Sequence, residues 1–98
     1  MKYLKKFEIV GLKKYVIIKG HYTFFRLFIV EITNIENNYV VTKDIFQMTI
    51  NDDKPKAVEN WNRRPYNSVI EDILYQSDDL EDCKNKLSEM ISASKYNL

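Results

Sequence analysis

A single cysteine, Cys83, and a single histidine, His21, occur in this chain of 98 residues. One cysteine leaves no intrachain disulfide, and a structural zinc site, which needs four nitrogen or sulfur ligands, is excluded. Two glycines and two prolines exclude collagen-like and linker-like classes. Gly11 and Gly20 are also too few and too far apart for a phosphate-cradling loop or a dinucleotide fingerprint. Long apolar runs are missing as well. The most apolar window, Tyr15 to Ile32, holds Lys19, His21, Arg26 and Glu31, so no membrane span is expected. The basic start MKYLKK is not followed by a clean apolar stretch, because Glu8, Lys13, Lys14 and Lys19 interrupt it; a secretory signal is therefore not expected. With one unpaired cysteine, the expected setting is a reducing one, the cytoplasm.

What the chain does have is a normal globular composition. Apolar residues make up 45% and charged residues 30%, enough for one α+β domain spanning residues 1–98 with its own core. The net charge of +1 conceals an asymmetry. Met1 to Val30 carries six lysines and Arg26 against Glu8, and Glu31 to Leu98 carries eight bases against thirteen acids. Such a split bears on surfaces and association rather than on fold. A basic and an acidic surface on one small domain also fit self-association, so a homodimer through the sheet is an expectation. Lysine outnumbers arginine twelve to three, and Lys, Asn, Ile and Tyr abound. These residues have AT-rich codons, which suggests a low-GC bacterium or one of its phages.

Residues 1–52 read as β-rich and residues 53–98 as helical. β-Branched and aromatic residues crowd Phe7–Val10, Tyr15–Lys19, Thr23–Thr33, Tyr39–Thr42 and Ile45–Ile50, which predicts about five antiparallel strands. The long third run predicts a meander or a strongly bent, partly barrel-like sheet. Gly20–His21 marks one hairpin, and Asn34-Ile35-Glu36-Asn37-Asn38 a second turn, since asparagine tolerates positive φ. Beyond residue 52 two to three helices are expected, packed on one side of the sheet. The first would start at Asp53–Pro55 and break at Pro65. Ser68-Val69-Ile70-Glu71 has capping-box spacing for a second. Asp78–Asp79 starts a third, in which Leu80, Cys83, Leu87, Met90 and Ile91 recur at spacings of three and four.

Chemistry-bearing constellations are scarce. Cys83 lies on the apolar stripe of the last helix, where a thiol behaves as a small hydrophobe rather than a nucleophile. Glu71–Asp72 and Asp78–Asp79 are adjacent pairs, which do not face each other on a helix. No catalytic residue, metal ligand or cofactor-binding residue is assigned, and the expectation is a protein that is not an enzyme and carries no cofactor.

The segment Ala57 to Tyr66 is the most singular. It gathers Trp61, the chain's sole tryptophan, with Arg63, Arg64 and Tyr66 around Pro65. Trp, Tyr and Arg anchor interfaces because each joins large area to a polar handle, so these four residues are the candidate interface. A second candidate is a basic, aromatic sheet face built from Lys5, Lys13, Lys14, Lys19, Tyr22 and Arg26, suited to nucleic acid. Within the first segment, the pattern Ala57-x-x-x-Trp61-Asn62-x-Arg64 resembles the closing segment of small phage-borne restriction-alleviation proteins. The resemblance covers eight residues, and the cysteine pairs that precede this segment in that family have no counterpart here. The expected function is thus binding to another protein, as an inhibitor or accessory factor of a phage or mobile element directed against host defence. The alternative is a nucleic-acid-binding module.

Overall fold

A computed structural model describes residues 11–20 and 26–96. Among these residues five strands and two helices follow in the order β1 (Tyr15–Lys19), β2 (Arg26–Glu36), β3 (Tyr39–Thr49), β4 (Lys56–Pro65), α1 (Tyr66–Asp72), β5 (Ile73–Ser77) and α2 (Leu80–Tyr96). The strands form one antiparallel sheet in the order β4-β3-β2-β1-β5. The class is α+β, as the run of strands predicts. Among the described residues the sheet is open, with β4 and β5 as its edges, and this corrects the barrel-like expectation.

Alternation along β1 and β2 sends apolar side chains to both faces, and each face receives a helix. Ile17, Leu27, Ile29 and Met48 are buried beneath Cys83, Leu87 and Ile91 of α2. Val16, Ile18 and Val30 point the other way and pack with Phe28, Ile32 and Ile73. That second face continues into Val40, Tyr66 and Val69, where α1 docks. The helices therefore lie on opposite faces, not on one side. Two buried faces explain why β1 reads as the unbroken run Tyr15–Ile18 rather than as an alternation.

The turns follow local chemistry. Asn37 adopts φ 38°, a left-handed conformation that asparagine enters at low cost, and it joins β2 to β3 with Glu36 opposite Tyr39. Gly20 N–H donates to Arg26 O at 2.8 Å, closing the β1 to β2 end. A Cβ on Gly20 would lie 3.2 Å from the Phe28 ring, so the close approach favours glycine there. Asp79 Oδ1 accepts from Glu81 N–H at 3.0 Å and caps α2 where the sequence places its start.

Three expectations are corrected. The runs Tyr39–Thr42 and Ile45–Ile50 join into one strand, because the register against β2 shifts between Ile29 and Val30 and absorbs Ile45 as a bulge. The helix expected from Asp53–Pro55 is strand β4, and with β5 it places two strands beyond residue 52. Lys56–Pro65 has no apolar stripe of period 3.6 to bury, whereas the open edge of β3 offers a full ladder of backbone partners. The helix expected to be capped at Ser68 instead begins at Tyr66, whose N–H donates to Asn38 O at 2.7 Å. Pro65 precedes it in an extended conformation, φ −58° and ψ 137°. A strand at Phe7–Val10 lies outside the described residues.

Candidate functional site

Strand periodicity divides the candidate interface. On β4, Trp61 lies opposite Lys43 and Arg63 opposite Val41, so both face the α2 side of the sheet. Arg64 lies opposite Val40 and faces the α1 side. Tyr66 has left the strand and is buried against Val40 and Val69. The four residues are thus not one surface. Trp61 and Arg63 form an exposed pair, and Arg64 and Tyr66 belong to the scaffold.

The exposed pair has company. Trp61 is 58% exposed, with Lys43 Nζ 5.3 Å from its ring centroid. Lys43 also reaches Glu59 Oε2 at 3.7 Å. Arg63 stacks 4.2 Å over the Tyr39 ring, and its Nε donates to Glu36 Oε1 at 3.1 Å. The result is a strip along β4 and the neighbouring part of β3 in which two cations rest on two aromatic rings and each has one carboxylate beside it. Helix α2 packs over β1, β2, β3 and β5, and β4 stands outside this cover with most of its residues exposed. On its outer side β4 pairs with no strand among the described residues, so a row of backbone donors and acceptors is open there.

The other face of β4 holds a polar string. Arg64 Nη2 donates to Asp44 Oδ1 at 3.4 Å and Arg64 Nε to Thr42 Oγ1 at 3.2 Å. Thr42 Oγ1 in turn donates to Asn62 O at 3.4 Å. Thr42 and Asp44 are buried. Burial pushes the Asp44 carboxyl above the ordinary carboxylate range, opposed by the charge and hydrogen bond of Arg64. Beside this string opens a cleft of about 490 Å³ with Ile18 and Phe28 as apolar wall and Arg26, Gln47, Asn60 and Asn62 as polar lining. Arg26 Nε is buried there without a hydrogen-bond partner among the described residues.

Among the described residues, Lys13, Lys14, Lys19 and Arg26 of the expected basic face do not come together. Lys13 and Lys14 stand at the start of β1, where Lys13 Nζ lies 3.9 Å from Asp78 Oδ2 and Lys14 N–H donates to Asp78 Oδ1 at 2.9 Å. Lys19 and Arg26 sit at the far end of β1, about 17 Å away at strand rise, and Arg26 lies in the cleft. Lys5 and Tyr22 are outside the described residues. Among the described residues no three His, Cys, Asp or Glu side chains are placed to hold a metal ion, and no helix is long and apolar enough to cross a membrane.

Sequence reasoning missed Glu59, Lys43, Glu36 and Tyr39, which surround Trp61 and Arg63. No single local pattern links them, since they meet through the β2–β3 and β3–β4 registers. Compared with protein-family models, curated proteins and solved structures, the chain matches none.

Proposed function

We propose that this chain is a non-catalytic binding domain that docks another protein along the outer edge of β4. The observation that carries the reading is the exposed Trp61 at the middle of an edge strand whose outer backbone groups are unpaired among the described residues. A partner strand laid on that edge gains main-chain hydrogen bonds, and alternate side chains supply selectivity. Trp61 and Arg63 lie on one face of the edge and present the residue types that most often dominate binding energy. An inhibitor or accessory factor of a phage, acting on host-defence machinery, is the concrete form, and it sets the first partners to screen.

Two-hybrid selection against fragments of low-GC bacterial and phage genomes tests the reading. Partners selected by the parent chain should be lost with Trp61→Ala and with Asn60→Pro, because proline blocks strand pairing. They should be retained with Ser92→Ala on the exposed side of α2. Selection that is indifferent to both β4 variants, each shown to be folded by its circular dichroism, refutes docking at this edge.

A further inference from the structure

The side chains of β4 are self-complementary about Trp61, and from this we infer that the strand pairs with β4 of a second copy of the chain. The inference rests on the edge-docking reading and names its occupant. In a two-fold antiparallel pair centred on Trp61, residues equally far before and after it face each other. Glu59 then meets the other copy's Arg63, twice by symmetry, and Asn60 meets the other copy's Asn62. Trp61 meets its own counterpart. Every directly opposed pair from Glu59 to Arg63 is favourable: opposite charges, carboxamides, or two aromatic rings.

The four adjacent registers do worse. Centring on Glu59 or Arg63 sets like charges face to face, which destabilises a strand pair. Centring on Asn60 sets Lys56 against Arg64, and centring on Asn62 leaves Glu59 facing Pro65. The geometry of the monomer is compatible with the Trp61 register. Glu59 and Arg63 lie on the same face as Trp61, shown by their contacts with Lys43 and with Tyr39 and Glu36. Both are exposed, and their present partners are exposed ion pairs of the kind that exchange at little cost.

Charge reversal tests the register. Sedimentation velocity at concentrations from micromolar to about 1 mM should show the parent chain in monomer–dimer equilibrium. Glu59→Arg and Arg63→Glu should each weaken the dimer about tenfold or more, because each turns two attractions into two repulsions. The decisive arm mixes these two variants. In the Trp61 register one copy then carries Arg at 59 and 63 and the other carries Glu at both, so a heterodimer should form at concentrations where neither variant dimerises alone. A parent chain that stays monomeric throughout overturns the inference, as does a mixture that forms no heterodimer. Failure here is separable from failure of the edge-docking reading. A monomeric chain whose selected partners are still lost with Asn60→Pro keeps the edge as a docking site for a different protein.

Discussion

Leu87→Ala is the most direct test of how this domain is held together. Leu87 is fully buried at the centre of α2, in one cluster with Ile17, Leu27, Ile29, Met48, Cys83 and Ile91. Truncation removes the side chain's transfer free energy and leaves a cavity, which in comparable sites costs about 3–5 kcal/mol. A 98-residue domain has about 5–15 kcal/mol in total, so a loss of this size is a large part of it. At about 4–8 °C per kcal/mol the melting temperature should fall by roughly 12–40 °C. In urea, with a slope of about 1–2 kcal/mol per molar, the midpoint should fall by about 1.5 M or more. Far-ultraviolet circular dichroism through a urea titration reads this, with Ser92→Ala on the exposed side of the same helix as the control. A midpoint shift under about 0.5 M would mean that α2 does not close the core, and the division of the sheet into two buried faces would fall with it.

Arg63→Ala should cost about 1 kcal/mol or less, because its ion pair with Glu36 is exposed. Arg64→Ala should cost about 2–4 kcal/mol by leaving the Asp44 carboxylate without its partner. That second loss should depend on pH. Burial raises the Asp44 pKa above 3.8 in the folded state, so its ionisation opposes folding, and removing Arg64 raises it further. The cost should therefore be large near pH 7 and shrink as pH falls through the folded-state values of Asp44 in variant and parent, both above 3.8, so that little of it is left at pH 3.5; thermal melts of parent and variant at pH 7 and pH 3.5 measure the difference. Cys83, whose thiol burial pushes up to about 11, should react with a disulfide reagent at pH 8 only on unfolding. Fast reaction of the folded chain would place it elsewhere than under the sheet. Asn37→Gly should leave stability within a few tenths of a kcal/mol, whereas Asn37→Val should cost about 1–2 kcal/mol, since a β-branched residue is strained at φ 38°; matched urea titrations compare them.

The legible parts of the fold are those with at least one dry side. In α2 the stripe through Cys83, Leu87 and Ile91 is buried as its spacing predicts, and the Asp79 cap is read from local chemistry alone. Strand β4 carries no such signal. Its α2-side residues Glu59, Trp61 and Arg63 are exposed, and its α1-side residues Asn60 and Asn62 line a polar cleft. With both faces wet, there is no hydrophobic period to read. Local start signals at Asp53 and Pro55 then suggested a helix, while the deciding partner, the open edge of β3, is remote in sequence. The start of α1 is likewise set by Asn38, far back in the chain.

This misreading of period carries directly into the site. On a helix, Trp61 and Arg64 stand three residues apart and share a face; on a strand, Trp61 shares its face with Glu59 and Arg63, and Arg64 turns away. Composition alone therefore points to a segment and groups within it side chains that the strand sends to opposite faces. The distinction has a thermodynamic form. A cycle of Trp61→Ala and Arg64→Ala should be additive for stability, because the two side chains lie on opposite faces of β4. A cycle of Trp61→Ala and Lys43→Ala should couple, because Lys43 rests 5.3 Å over the Trp61 ring in a contact of the kind that contributes about 0.5–1 kcal/mol at exposed sites. Coupling of Trp61 to Arg64 with none to Lys43, measured by urea unfolding, would restore the helical reading of residues 56–65 and remove the edge strand on which the proposed docking depends.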